Sequence, residues 1–423
     1  MHPTAEAAIP ADFARNLSSV VNGLAREIWN GGGLTSPKLL NLIGSLLQGQ
    51  VAAGFGKGFP TVDFSTPDAA MLMRLTRDVW QFGAAKSYQQ LRDMTLALKD
   101  AEGKMRSFPD FKEAVSGIGS KYNADWLKTE YNQAVGAATM AARWSDFKRN
   151  EKDMPYLRYS TVGDSLVRDS HRSLDGTVRK MSDAFWATYF PPNGWGCRCS
   201  ADQLAASYAV ETEVLPDMPV QPMFRTNLAA SGLVFPKGHP YYTGVPAEAL
   251  REAIGYLPPD AAYNRVYKSE ASGKEVKLHI LHGIAEAPTN IATGKVLADA
   301  GHQVELLPIL QTDQERARIY GKGFVKGKNP DAKINGVLAE IKNTRTSSKT
   351  AIHNSIENGQ EQADLVVIHL PKAVANETVH NAVKGKVKQA RYVEEVWVIN
   401  GDSILKYSRN TLGLPKKEER STD

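Results

Sequence analysis

The chain has almost no cysteine: two residues in 423, Cys197 and Cys199, both within a single C-x-C. A disulfide between positions two apart is strained, and one pair is too few for an extracellular cross-linked framework, so reduced thiols are expected. Long apolar runs are missing too. The longest, such as Leu365-Val366-Val367-Ile368, fall far short of the roughly 20 residues that cross a bilayer, so no membrane span is expected. The opening MHPTAEAAIPADF has neither a basic n-region nor an apolar h-region. The protein is therefore expected to stay in the cytoplasm where it is made, or to leave only inside a larger particle. Charge is not one-sided: 51 Lys+Arg against 46 Asp+Glu give +5, a bias that solvated surface explains as readily as a polyanionic partner. There is no internal repeat or low-complexity tract. Several chemistries lack their residues. Gly54-Phe-Gly-Lys57-Gly58 and Gly321-Lys-Gly323 have no Walker spacing and no following Ser or Thr, and neither His-Glu-x-x-His nor G-x-S-x-G occurs. His239, His279, His282, His302, His353, His369 and His380 stand singly, which fits structural or exposed histidines better than catalytic ones.

What is present suffices for two or three folded units, since a domain usually takes roughly 100 to 200 residues. From residue 11 to about 150 apolar residues recur at three- and four-residue spacing, predicting helices at 13–29, 37–54, 67–100, 110–118 and 124–148. Gly31-Gly32-Gly33 ends the first. Ala134, Gly136, Ala137, Ala138, Ala141 and Ala142 make the last a helix that packs closely on a neighbour. A strand follows at 155–162. Frequent proline between Pro216 and Pro259 predicts an extended connector over 206–275 with one short helix near 247–254. Beyond it the pattern alternates: helix 285–299, strands 303–308, 329–334 and 337–342, helix 349–361, strand 364–370, helix 373–388, and strands 394–399 and 403–408. The expected architecture is multidomain, a mainly α N-terminal part and an α/β C-terminal domain. The boundaries are 1–150 helical, 151–205 signature region, 206–275 connector, 276–412 α/β domain, and 413–423 a charged, disordered tail.

The most distinctive stretch is YLRYSTVGDSLVRDSHRSLDGTVRKMSDAFWATYFPPNGWGCRCSADQL, residues 156–204. His171, Cys197 and Cys199 are soft ligands that meet if the chain doubles back through its Pro-Pro-Asn-Gly turn, and Asp175 or Asp164 would then complete a zinc site. The blander alternative is a pair of small buried thiols with His171 hydrogen-bonded across the turn. In its order of elements (Thr161, Arg168, His171, Leu174-Asp175-Gly176, Phe185-Trp186, Pro191-Pro192, Gly194-Trp195-Gly196-Cys197-Arg198-Cys199), with Trp126, Glu130, Tyr131 and Trp144 on the preceding helix, the region over roughly residues 35–205 resembles the Mu protein F-like head morphogenesis proteins of tailed phages. That resemblance implies a minor head protein, found in the virion and in host cytoplasm during assembly, whose partners are the portal and the major capsid or scaffold proteins.

A second motif permits an argument from geometry. In PDAKINGVLAEIK, residues 330–342, Asn335-Gly336 is a strong signal for a two-residue type I′ hairpin turn. Counting outward pairs Ile334 with Val337, Lys333 with Leu338, Ala332 with Ala339, and Asp331 with Glu340. Directly opposed residues share a face, and Lys342, two residues past Glu340, points the same way. Two carboxylates and a lysine thus converge. This P-D-x(n)-E-x-K arrangement resembles restriction-endonuclease-like nucleases, and residues 284–409 more narrowly resemble the tRNase toxin domains of contact-dependent inhibition systems. The resemblance implies a metal-dependent endonuclease: Asp331 and Glu340 as ligands of Mg or Mn, Glu286 as a third carboxylate, and Lys342 as electrostatic catalyst. Lys322, Lys326, Lys328 and Lys333 become candidate phosphate contacts on DNA or RNA. The bland alternative is a surface hairpin whose acidic pair is bridged by Lys342 or Lys333. Two functions are therefore expected: head assembly as the main one, nucleic-acid cleavage as the alternative.

Overall fold

The computed structural model describes residues 8–216 and 218–420. The chain divides into two compact units between Ala261 and Ala262.

The first unit is a helical bundle carrying a small sheet. Its helices are α1 (Ala11–Trp29), α2 (Pro37–Phe55), α3 (Pro67–Leu96), α4 (Phe108–Ser120) and α5 (Leu127–Asn150), with a π-helical turn at Lys121–Trp126 leading into α5. Ser36 caps α2 by accepting from Leu39 N–H at 3.3 Å, and Gly56 at φ 75° closes it. α3 is the central rod, with Trp80, Phe82 and Lys86 fully buried. The small residues of α5 act as expected: Ala134, Ala137, Ala138 and Ala141 are buried, and α2 approaches so closely that a Cβ at Gly54 would collide with the Val135 carbonyl. After α5 come β1 (Tyr156–Ser160), the one-turn helix α6 (Asp169–Arg172), β2 (Val178–Lys180) and β3 (Ser200–Leu204), forming an antiparallel sheet in the order β2-β1-β3.

The proline-rich stretch is not the connector its composition suggests. Met218, Val220, Phe224, Leu228, Val234, Phe235 and Tyr241 are buried, and polar side chains of the bundle take up the backbone of this strap. Asp78 accepts from Val234 and Phe235 N–H, both at 2.9 Å, Gln133 donates to Val234 O at 3.0 Å, and Gln89 donates to Thr243 O at 2.7 Å. Proline limits this strap to single helical turns at Pro222–Phe224, Leu228–Ser231 and Pro240–Tyr242 without excluding burial, because the polar helix side chains take up the remaining backbone groups.

The second unit is an eight-stranded mixed sheet: β4 (Tyr263–Lys268), β5 (Glu275–His279), β6 (Val304–Leu306), β7 (Ala332–Ile334), β8 (Val337–Asn343), β9 (Leu365–His369), β10 (Glu395–Asn400) and β11 (Ser403–Ser408), ordered β11-β10-β9-β8-β7-β6-β5-β4. The helices are α7 (Ala287–Asp299), α8 (Asp313–Tyr320), α9 (Lys349–Gly359) and α10 (Asn376–Val387). β9 runs parallel to both β8 and β10, and β9 and β10 carry near-continuous apolar runs, as parallel strands covered on both faces do. Ile352 and Ile356 of α9 and Val379 and Val383 of α10 pack on Val366, Ile368, Val396 and Val398. β4 and β5 stand where the connector was expected to continue. Their polar outer residues mask a weak alternation in which only Val266, Val276, Leu278 and His279 are buried.

The disordered tail is likewise corrected over residues 413–420. Leu412 and Leu414 join the α9/α10 cluster, Lys417 pairs with Asp364 at 2.9 Å, and Arg420 pairs with the same carboxylate. Residues 421–423 of that expectation lie outside the described residues.

Candidate functional site

The hairpin forms in the register counted from the sequence: Ile334↔Val337, Lys333↔Leu338, Ala332↔Ala339. Asn335 at φ 50° and Gly336 at φ 86° are both left-handed, as a type I′ turn requires. The ladder stops one step short of Asp331 and Glu340. Instead of pairing across, Asp331 turns its side chain onto the strand, and Oδ2 accepts the Ile341 N–H at 2.8 Å. Its Oδ1 accepts from Asn290 Nδ2 of α7 at 3.2 Å.

Glu340 is 2% exposed. Its Oε1 receives both Lys342 Nζ at 2.5 Å and Gln362 Nε2 at 2.7 Å, whereas its Oε2 is buried with no partner. Burial pushes the carboxyls of both Asp331 and Glu340 well above the ordinary carboxylate range. The charge of Glu286 adds to this for Asp331, that of Asp331 adds to it for Glu340, and Lys342 opposes it for both. Asp331, Glu340 and Lys342 are thus brought together. Glu286, at the N-cap of α7, is exposed and close enough to act on Asp331 through its charge. Among the described residues, however, the three carboxylates do not all come within 4.8 Å of one another. Of the lysines, Lys322, Lys326 and Lys328 are exposed before the hairpin, while Lys333 is tied to the Ile319 carbonyl at 3.2 Å.

Behind Asp331 lies a polar chain that no sequence motif announces. His282 Nδ1 sits 2.6 Å from the Leu307 carbonyl; a carbonyl only accepts, so Nδ1 carries the proton and Nε2 accepts from Asn290 Nδ2 at 3.4 Å. The orientation of the Asn290 amide is thereby fixed, with its NH2 toward Asp331 and its oxygen toward Asn343 Nδ2 at 3.4 Å. Thr293 links Asn343 at 2.8 Å to His369 at 3.0 Å. His282 and His369 thus lie in a hydrogen-bonded chain that reaches the acidic site through Asn290. The resemblance pointed to Glu286 at the start of α7 but not to Asn290 or Thr293 within it.

In the first unit, His171 on α6 meets Cys197 and Cys199 in the loop before β3. His171 Nδ1 is 3.6 Å from each sulfur, and all three residues are buried. The two thiols share a hydrogen bond that holds Cys197 down and pushes Cys199 up in pKa. Neither aspartate considered as a fourth ligand joins them. Asp164 is engaged by both guanidinium nitrogens of Arg198 at 2.7 Å, and Asp175 accepts the Thr161 N–H at 2.7 Å and hydroxyl at 3.0 Å. Asp175 is exposed and Asp164 half-buried, so loop fastening suits them better than burial with the trio.

Residues 85–202 match the family described as Phage Mu protein F like protein. Residues 328–404 match the Contact-dependent growth inhibition CdiA C-terminal domain. Over 136 residues the chain is 32% identical to the Mu-like prophage FluMu F protein of Haemophilus influenzae, covering 32% of each chain. Over 81 residues it is 37% identical to the Putative capsid assembly protein F of Escherichia phage Mu, covering 19% of this chain and 18% of that one. The chain thus spans about a third or less of the length of these relatives. No solved structure matches. Both resemblances read from the sequence hold: a Mu protein F-like region running from the second half of α3 into β3, and a CdiA-like region running from just before the hairpin to the start of β11.

Proposed function

We propose that this chain is a minor head protein of a Mu-like tailed phage, acting with the portal and with the major capsid or scaffold proteins in the host cytoplasm and retained in the virion head. The observation that carries this reading is the match over 85–202, supported by the burial of the signature residues Tyr159, His171, Trp186 and Cys199 in one sheet-and-loop element. Co-produced with the portal and capsid proteins of a Mu-like phage, the chain should co-sediment with assembled heads, and deletion of residues 11–205 should abolish this. Incorporation that survives the deletion would refute the reading.

A second activity is favoured by a specific observation, the buried and unpartnered Oε2 of Glu340. A desolvated carboxylate oxygen beside a second carboxylate is costly unless a cation or proton meets it. The donor set is all oxygen, which suits a hard cation such as Mg or Mn. Asp331 and Glu340 would hold it, with Glu286 at the rim. When bound, such an ion supplies positive charge to a phosphate and lowers the pKa of a water.

The remaining chemistry belongs to the chain. Lys342 places an ammonium beside the carboxylate pair, where it offsets charge that develops on a phosphorane. Asn290, oriented by His282, and the Ile341 N–H hold Asp331 in one rotamer, and Gln362 does the same for Glu340. Exposed Lys322, Lys326 and Lys328 steer the nucleic-acid backbone, while Lys333 is already occupied. The full chain should cleave tRNA, single strands or duplex with Mg or Mn and stop in EDTA, and Glu340→Ala or Lys342→Ala should abolish cleavage without affecting incorporation into heads. Absence of cleavage on all three substrates with both ions would refute the nuclease reading and leave the assembly reading intact.

A further inference from the structure

We propose that His171, Cys197 and Cys199 form a zinc site that cross-links α6 to the loop entering β3. The distances argue for an ion rather than a hydrogen bond. Tetrahedral zinc with bonds of about 2.0 Å to nitrogen and about 2.3 Å to sulfur sets each N···S edge at roughly 3.5 Å. Both observed separations are 3.6 Å and end on the same Nδ1. An imidazole nitrogen has a single in-plane lone pair or a single N–H, so it satisfies one thiol well and not two equally. A central ion satisfies both.

The surroundings fit a closed, structural site. The three residues are 5%, 8% and 3% exposed, and among the described residues they are the group of His, Cys, Asp or Glu ligand atoms that converge within 4.8 Å. Thiolate and imidazole donors favour zinc over the hard cations suited to the carboxylates of the second unit. The fourth position falls to a water, because Asp164 and Asp175 are committed to Arg198 and Thr161. The Tyr159 hydroxyl, 3.0 Å from Asn193 Oδ1 and hydrogen-bonded to Cys199, borders the trio and is placed to hold that water.

The bonds around the trio explain what the metal would add. Arg168 reaches the Trp195 carbonyl and Arg198 clamps Asp164, so each ligand-bearing loop is fastened at its exposed side. On the buried side the two sulfurs face the His171 ring beside the Tyr159 hydroxyl. A zinc ion there joins the segments at 169–172 and 197–199 as a covalent cross-link would, in a cytoplasm that reduces disulfides.

The test uses the full chain carrying Asp331→Ala and Glu340→Ala, so that metal held by the second unit is removed from the count. Elemental analysis should find one zinc per chain. Cobalt exchange should give thiolate-to-cobalt charge-transfer absorption, and both thiols should react with a disulfide reagent many-fold faster after EDTA. His171→Ala and Cys197→Ser should lose the metal; should either misfold, the cobalt spectrum and thiol protection of the intact trio still decide. Tyr159→Phe should keep the metal, and losing it would overturn the water-filled fourth position. Zinc-free protein whose thiols react equally fast with and without EDTA would overturn the site.

Discussion

Replacing Glu340 by Gln tests the acidic site without relying on activity. Two effects oppose each other. Loss of the charge breaks the 2.5 Å pair with Lys342, and removing one partner of a buried pair costs about 3 to 5 kcal/mol when the orphaned charge stays buried. Lys342 does not stay buried: its side chain is 27% exposed while that of Glu340 is 3% exposed. Freed, it turns to water, so most of that penalty disappears. On the other side, the substitution ends the desolvation of a carboxylate whose Oε2 has no partner and the repulsion from Asp331 that raises its pKa. The Gln carbonyl still accepts from Gln362. The second effect should win, stabilising the metal-free second unit by about 1 to 3 kcal/mol, or several degrees in Tm at roughly 2 to 4 °C per kcal/mol for a unit of this size. The assay is calorimetric melting of the full chain in EDTA and in millimolar Mg or Mn. The wild type should melt lower in EDTA and rise with the ion, whereas Glu340→Gln should start higher and not respond. A variant that melts lower than wild type in EDTA, or that keeps the wild-type cation shift, would refute the reasoning.

Other perturbations probe the scaffold. Lys86→Met should cost about 3 to 5 kcal/mol by urea unfolding, since it strands Glu130 at 3% exposure without its 2.5 Å partner; adding Glu130→Gln should recover much of the loss. His239 is half-buried, and burial, with Lys86 nearby, lowers its pKa from 6.5 to about 4. A lowered pKa means the unfolded chain binds the extra proton first, so this contribution is complete above 6.5 and is lost as pH falls toward 4. Discounted for solvent screening, it amounts to about 1 to 2 kcal/mol, and His239→Phe should flatten the acid limb of denaturant midpoints for the first unit. Gly336→Ala, at φ 86°, should destabilise the hairpin by about 1 to 2 kcal/mol in thermal melts while leaving Asn335→Gly nearly neutral.

The parts of this structure that were legible in the sequence are those whose determinants are local. The hairpin register follows from Asn335-Gly336 alone, and β11 falls at Ser403–Ser408, the range read from the sequence pattern. The strap at 218–243 was not legible because its order comes from Asp78, Gln89 and Gln133, far away in the chain. Helical periodicity marks them as ordinary polar positions. β4 and β5 were missed for a related reason: edge strands bury one thin face, and in YNRVYK only Val266 is buried. The candidate sites divide the same way. Asp331, Glu340 and Lys342 lie within one hairpin, while Asn290 and Gln362 reach them only through tertiary packing.

The two sites also follow opposite chemical logic, and this bears on how one chain would keep two metals apart. The first offers two sulfurs and one nitrogen, enclosed, with no carboxylate among the converging atoms. The second offers oxygen alone, with Glu286 exposed and acting on Asp331 through its charge. On the proposed reading, softness would sort zinc to the former and Mg or Mn to the latter. Access sorts them again: an enclosed ion holds loops together, whereas a nucleic-acid backbone reaches only an ion whose surroundings remain open. In the second unit, the ladder ends at Ala332↔Ala339. Had β7 and β8 paired one residue further, Asp331 would have lost its bond from the Ile341 N–H and its place beside Asn290. The early end of a three-residue strand is therefore what lets Asp331 fold onto β8 and reach α7 instead of simply facing Glu340 across the hairpin.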